Sequence, residues 1–163
     1  MPFPDWHTPK IDLSVITNDR PQSLSRLLDS LTAARYYGDV VNIRLNLEQT
    51  ADMETRQTVT QFRWSFGAIH VQHRIISAGL LPAVVEAWYP HDNDSYGVLL
   101  EDDVEVSPFF YAWIKIAILR YRSALALLRC LDDADFTLSD QVWSVSRACT
   151  FFVRREFIPT SQY

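Results

Sequence analysis

Short apolar runs alternate with amphipathic stretches from residue 11 to about residue 122, and this pattern predicts alternating strands and helices. The strands are predicted from β-branched or alternating segments bounded by turn formers, namely "IDLSVIT" (11–17), "GDVVNIRLNLE" (38–48), "AIHVQHR" (68–74) and "YGVLLE" (96–101). Helices are predicted between them and after the last, the first with leucines at 24, 27, 28 and 31 on one face. The third, "PAVVEAWY" (82–89), is predicted to begin at Pro82 and to end before Pro90. The order β-α-β-α-β-α-β-α predicts an α/β fold with a mostly parallel sheet and helices on both faces.

The ends of the chain differ from this pattern. Residues 1–10 are proline-rich and predict an irregular lead-in, with no apolar core that would suit a signal peptide. The segment "FFYAWIKIAILRYRSALALLRCL" (109–131) is too charged for a membrane span and predicts a long amphipathic helix. Past residue 122 the alternation fails, and "ACTFFV" (148–153) is the clear strand candidate of a divergent tail, 123–163.

The bulk composition narrows the possible partners. The 163 residues suit one domain, and 48% of them are hydrophobic, which favours a globular protein. A net charge of −5 leaves no basic footprint, so nucleic acid is not expected as a partner.

Polar residues collect where two predicted strands end. After the first strand comes "NDRP", in which Asn18 or Asp19 is expected to cap a helix that has Pro21 in its first turn. After the fourth comes "EDDVEVSP", with Ser107 expected to cap the next helix. In parallel sheets ligands bind outside the carboxyl ends of the strands, so both turns are candidate site segments.

The second turn places four carboxylates within five residues, at positions 101, 102, 103 and 105. At about 5 Å and an effective dielectric of about 20, each like-charged pair costs on the order of 3 kcal/mol. A solvated loop is the simpler explanation of an acidic run, and a bound cation is the other. Strand alternation would put Glu101 and Asp103 on one side, which suits a hard divalent cation, and Glu105 is expected to face solvent.

Two segments resemble a known family. "LLEDDVEVSPFFYAW" (99–113) resembles the metal-binding segment of nucleotide-sugar glycosyltransferases of the GT-A fold. It is similar to the Glu-Asp-Asp version of their Asp-X-Asp motif, found in the N-acetylglucosaminyltransferase that begins N-glycan branching. "IDLSVITNDRPQSLSRLLDSL" (11–31) resembles the first strand, turn and helix of family-two-like glycosyltransferases. The resemblance implies a GT-A, Rossmann-like fold and covers about residues 11–122, the nucleotide-sugar-binding half of such a domain.

The resemblance also implies roles for single residues at the acidic turn and the first turn. Asp103 would bind the metal, Mn²⁺ or Mg²⁺, while Glu101 and Asp102 would contact the ribose, the sugar or metal-bound water. Thr17, Asp19 and Arg20 would lie against the nucleotide, with Arg20 pairing with a phosphate.

Further nucleotide contacts are implied by the second and third strands. Either Glu48 or Asp52 would bind the base, and His73 or Arg74 would approach the nucleotide. By contrast, His70 and His73 point to opposite sides of a strand and do not predict a shared metal.

The implied function is transfer of a sugar from a nucleotide diphosphate, expected to be uridine diphosphate, to a hydroxyl of a carbohydrate or glycoconjugate acceptor. Related enzymes are often Golgi or membrane-associated, although this chain shows no membrane segment. The 41 residues after position 122 (163 minus 122) do not resemble the acceptor-binding half, and no general base is identified. We therefore expect a truncated or altered glycosyltransferase, or alternatively an inactive nucleotide- and metal-binding or purely structural domain.

Overall fold

The alternating pattern produces the predicted order of elements. A computed structural model describes residues 5–77, 79–131, 142–145 and 150–153. The elements are β1 (Lys10–Thr17), α1 (Pro21–Thr32), β2 (Ile43–Leu47), α2 (Met53–Gln61), β3 (Ile69–His73), α3 (Leu80–Glu86), β4 (Ser95–Glu101), α4 (Phe110–Leu131), β5 (Val142–Val145) and β6 (Thr150–Val153). The four predicted strands and the long amphipathic helix are confirmed.

One sheet joins all six strands in the order β3-β2-β1-β4-β6-β5. The strands β1 to β4 are parallel to one another, as right-handed β-α-β connections require. Strand β6 pairs antiparallel with β4 and with β5, so the strand predicted in "ACTFFV" lies between β4 and the edge strand β5. The mostly parallel α/β fold is therefore confirmed. Most of the predicted tail, 123–163, lies outside the described residues.

Helices cover both faces of the sheet. On one face, the leucine stripe of α1 and the residues Tyr111 and Ile114 of α4 pack against the apolar side chains of β1, β2 and β4. On the other face, Ala83 of α3 and its C-cap residue Ala87 pack against Ile16 and Leu99. Strands buried on both faces are expected to be almost continuously apolar, which explains the sequences of β1 and β4.

Two helix starts differ from the predictions. Helix α1 is capped by Arg20, with no side-chain cap, so the expected cap at Asn18 or Asp19 is wrong. The reason is tertiary, because the Asn18 side chain accepts a hydrogen bond from Thr50 instead. Helix α3 begins at Leu80, before Pro82, and ends at Glu86. Proline lacks only the amide hydrogen that a first helical turn leaves unbonded, so Pro82 is tolerated there.

The tight packing of α3's end on β4 depends on a glycine. A Cβ at Gly97 would lie 2.6 Å from the indole ring of Trp88, which is closer than side chains pack. Trp88 itself is buried and donates its indole N–H to Asp12 across 3.1 Å. Gly97 thus allows an aromatic ring to lie directly on the sheet.

A buried ion pair closes the amino edge of the sheet. The Lys115 ammonium, on a side chain only 1% exposed, donates to Asp39 at 2.7 Å and to the Pro9 carbonyl at 2.6 Å. Tyr111 also donates to Asp39, at 2.6 Å, and His7 contacts its other oxygen. Burial opposes ionisation of Asp39, but these hydrogen bonds outweigh it and lower its pKa. The network holds the lead-in, the loop before β2 and α4 together.

We expect Lys115→Met to lower the free energy of unfolding by about 3 kcal/mol, because it leaves the Asp39 carboxylate buried without its cation. Urea denaturation followed by tryptophan fluorescence measures the loss. Lys10→Met is the matched control, since Lys10 pairs with Asp92 at the exposed surface of the same edge. That variant should change stability little. Equal losses in the two variants would contradict the structural role of the buried pair.

Candidate functional site

The candidate site forms where β1 and β4 end side by side. Their parallel register pairs Ile16 with Glu101, so the next residue of each strand, Thr17 and Asp102, lies at the carboxyl edge of the sheet. The Thr17 hydroxyl donates to an Asp102 carboxylate oxygen across 2.8 Å, and both residues are buried. A buried carboxylate requires such a partner, so Asp102 is fixed in place by β1.

Arg20 reaches the same acidic turn from the start of α1. One guanidinium nitrogen lies 3.2 Å from Asp103 Oδ2 and 3.7 Å from Asp102 Oδ1. Arg20 and Asp103 are both accessible to solvent, with 58% and 48% of their side chains exposed. The structure therefore brings Thr17, Arg20, Asp102 and Asp103 together, as residues from two neighbouring strand ends.

The acidic turn differs in detail from its prediction. Strand β4 ends at Glu101, and Asp102 and Asp103 lie in a turn, so strand alternation does not extend through Asp103. The expected position of Glu101 and Asp103 on one side therefore cannot be argued from strand alternation and stays a prediction. Asp102 and Asp103 are the two carboxylates that share the Arg20 guanidinium, and Asp102 is the buried one.

A second cluster follows the end of β2. Glu48 lies next to the first cluster, because its amide donates to the Thr17 carbonyl across 3.1 Å. Arg74 lies 3.4 Å from Glu48 Oε1 and 2.5 Å from Glu86 in α3. Glu48 Oε1 is buried and has no hydrogen-bond partner among the described residues. The ion pair with Arg74 is thus the contact that compensates the charge of this oxygen.

Other predicted residues have different surroundings. Asp52 caps α2 and accepts a hydrogen bond from the Thr55 amide at 2.7 Å, which lowers the pKa of Asp52. Of the two acidic candidates, Asp52 is therefore engaged in its own helix cap, whereas Glu48 pairs with Arg74. Asp19 and His73 are exposed. Glu105 is exposed, as expected, and pairs with Arg26.

One member of the second cluster was not predicted from the sequence. Glu86 contacts Arg74, which also donates to the Pro82 carbonyl at 2.9 Å. Both contacts join α3 to the end of β3. A signal existed, because Glu86 is the only charged residue in the predicted helix "PAVVEAWY". Its partner could not be identified without the tertiary fold.

The acidic turn fits a divalent cation that a diphosphate would share, rather than one enclosed by protein. In the part of the chain that the structure describes, no three His, Cys, Asp or Glu side chains are grouped to hold a metal ion. Mg²⁺, however, commonly binds one or two carboxylates and completes its shell with water and substrate phosphates. Asp103, with an accessible carboxylate, has the chemistry for that mode. Metal binding at Asp103 stays a prediction.

Comparison with known proteins supports the fold. The model of the SPBC1E8.03c C-terminal domain family matches residues 19–130. The structure of S. aureus TarS 1-349 aligns with a TM-score of 0.55 at 14% identity, over 69% of this chain and 33% of that one. TarS 1-349 in complex with UDP-GlcNAc aligns with a TM-score of 0.53 at 13% identity, over 69% and 32%. No curated protein matches.

These neighbours are GT-A glycosyltransferases, and at this identity they show the fold alone. The chain spans about a third of the length of TarS 1-349. Among the described helices, none is long and apolar enough to cross a membrane.

We expect Thr17→Val to lower the free energy of unfolding by about 2 kcal/mol, since the buried Asp102 carboxylate loses its hydrogen-bond donor. Thr17→Ser keeps the hydroxyl and loses one methyl group, so it should cost about 1 kcal/mol. Urea denaturation of the two variants measures the difference. A valine variant as stable as the serine variant would show that the hydroxyl does not hold Asp102.

Proposed function

The chain belongs to the SPBC1E8.03c C-terminal domain family, and we propose that it binds a nucleotide diphosphate sugar at the carboxyl edge of β1, β2 and β4 in the manner of a glycosyltransferase. The observation that carries the proposal is the joining of Thr17, Arg20, Asp102 and Asp103 across two adjacent parallel strand ends. Open α/β sheets bind ligands at this edge. The shared GT-A fold supports the same location.

The diphosphate would lie between Arg20 and Asp103. Arg20 begins α1, whose first amide groups have no side-chain cap in the described structure, and such helix starts favour phosphate. An arginine fork also matches phosphate oxygens geometrically. Asp103 would hold Mn²⁺ or Mg²⁺, and a cation bound there would neutralise charge on the leaving diphosphate.

The nucleoside would extend toward the end of β2. Asp102, which accepts a hydrogen bond from Thr17, would contact the ribose or the sugar, together with the preceding residue Glu101. The Glu48 carboxylate, which pairs with Arg74 through Oε1, would accept a hydrogen bond from the base. Uracil suits Glu48, because its N3–H is a donor that a carboxylate can accept. TarS, a neighbour in fold, is known in complex with UDP-GlcNAc.

The reaction proposed is sugar transfer to a hydroxyl of a carbohydrate or glycoconjugate acceptor. The acceptor oxygen bonds to the anomeric carbon, the bond from that carbon to the diphosphate oxygen breaks, and a base takes the acceptor proton. A domain that binds the nucleotide and metal without transfer is the second candidate.

We expect Mn²⁺ to tighten UDP binding at least about tenfold, and Asp103→Asn to reduce this gain to less than about twofold, because the variant loses the charge that attracts the cation. Calorimetric titration with UDP, with and without Mn²⁺, measures both. Glu105→Gln is the matched control, since it removes a nearby exposed carboxylate that only pairs with Arg26. A full Mn²⁺ gain in the Asp103 variant would refute the metal assignment.

We also expect Glu48→Gln to reduce the preference for UDP over CDP by roughly tenfold, because an amide can donate to cytosine as well as accept from uracil. Competition titrations with the two nucleotides measure this ratio. Glu54→Gln, an exposed change in the neighbouring helix α2, should leave the ratio unchanged. An unchanged preference in the Glu48 variant would place the base elsewhere.

A further inference from the structure

The Arg20 side chain lies where a cation is expected. Its guanidinium contacts the carboxylates of Asp102 and Asp103, which are adjacent in the chain and repel each other when both are ionised. Within the described residues, Arg20 is the one basic side chain at ion-pair distance from either carboxylate. The protein therefore supplies its own counter-ion to the acidic turn.

The pair between Arg20 and Asp103 is easily opened. Both side chains are about half exposed, and ion pairs in such surroundings are stabilised weakly because water solvates each partner when they separate. The Asp102 contact is longer, at 3.7 Å, and Asp102 retains its hydrogen bond from Thr17 when Arg20 moves away. The buried carboxylate thus keeps a partner while the exposed one becomes free.

We propose that Arg20 is an exchangeable counter-ion, which occupies Asp103 in the empty site, yields it to a divalent cation and then pairs with the bound diphosphate. This inference rests on the proposed function and adds a mode of regulation to the same site. Arg20 is anchored by its backbone at the start of α1, so its long side chain can turn from the carboxylates to phosphate oxygens without a change in the fold.

The exchange of Arg20 for a divalent cation makes the affinity for the cation depend on the nucleotide. A divalent cation that binds alone must displace the guanidinium, which then has no new partner, so the cation binds weakly. When a diphosphate is present, the displaced guanidinium gains two phosphate oxygens to pair with. Cation and nucleotide therefore strengthen each other's binding, and by linkage the factor is the same in both directions.

The test measures Mn²⁺ binding alone, from the electron paramagnetic resonance signal of free Mn²⁺, and the factor by which Mn²⁺ tightens UDP binding. We expect Arg20→Met to bind Mn²⁺ alone roughly two- to fivefold more tightly than the wild type, because the competitor is gone. The same variant should lose most of the coupling between Mn²⁺ and UDP.

Arg26→Met controls for the change in net charge. Arg26 is on the same helix and pairs with Glu105, with side chains 57% and 63% exposed, so the variant removes an equally exposed ion pair next to the site. Its Mn²⁺ affinity should stay within about 1.5-fold of the wild type, since water and salt screen exposed charges that do not contact the cation. Arg20→Lys keeps the charge and should hold Mn²⁺ affinity near the wild type while weakening the coupling, because an ammonium group cannot pair with two phosphate oxygens in parallel.

The outcomes separate this inference from the proposed function. If Arg20→Met binds Mn²⁺ no more tightly than the wild type, the exchange is overturned. If Asp103→Asn also abolishes Mn²⁺ binding, the proposed metal site is still supported. An equal increase in Arg20→Met and Arg26→Met also overturns it, as an effect of charge alone. Absence of Mn²⁺ binding in the wild type and in Arg20→Met overturns both the exchange and the proposed metal site.

Discussion

The parallel pairing of β1 with β4 is the constraint on which the candidate site depends. Residues 17 and 102 are 85 positions apart in the chain, yet the register that pairs Ile16 with Glu101 makes them neighbours. A slip of one residue would turn Thr17 to the opposite face and leave the Asp102 carboxylate without its donor. The apolar residues of both strands, buried on each face, prevent that slip. Core packing and site geometry therefore have one origin.

Burial separates the ion pairs of this protein by role. At the amino edge, Lys115 and Asp39 are nearly inaccessible, and each depends on the other because a lone charge in that position is costly. At the carboxyl edge, Arg20 and Asp103 are half-exposed, and water can replace either partner. The same chemistry is thus permanent at one edge of the sheet and exchangeable at the other. The ion pair that stabilises the fold therefore lies at the amino edge of the sheet, where no ligand is proposed.

Sequence reasoning reached the parts of the structure that local patterns determine. The period of the leucines in α1 and the apolar runs of β1 and β4 were enough for the parallel α/β fold, and the rule for strand ends brought Thr17, Arg20, Asp102 and Asp103 to one edge. The sequence could not predict that Asp102 is buried and Asp103 exposed, because this depends on the residue at which strand β4 ends. The cap of α1 was missed because Thr50, from another loop, takes the Asn18 side chain. Lys115 looked like an ordinary interruption of an amphipathic helix, since its partner lies 76 residues away.

The contrast between Asp102 and Asp103 explains how one acidic turn can be both rigid and responsive. Asp102 accepts a hydrogen bond from a buried hydroxyl on β1, and this contact does not involve Arg20. Asp103 is held by a side chain that can turn away. If both carboxylates were fixed by buried partners, a cation would have to break those contacts to enter, at a cost close to that of opening a buried pair. If neither were fixed, the mutual repulsion of the two charges would spread the turn and the site would lose its geometry. One buried carboxylate beside one exchangeable ion pair avoids both outcomes. The two carboxylates differ because β4 ends at Glu101, so Asp102 is buried beside β1 whereas Asp103 lies exposed in the turn.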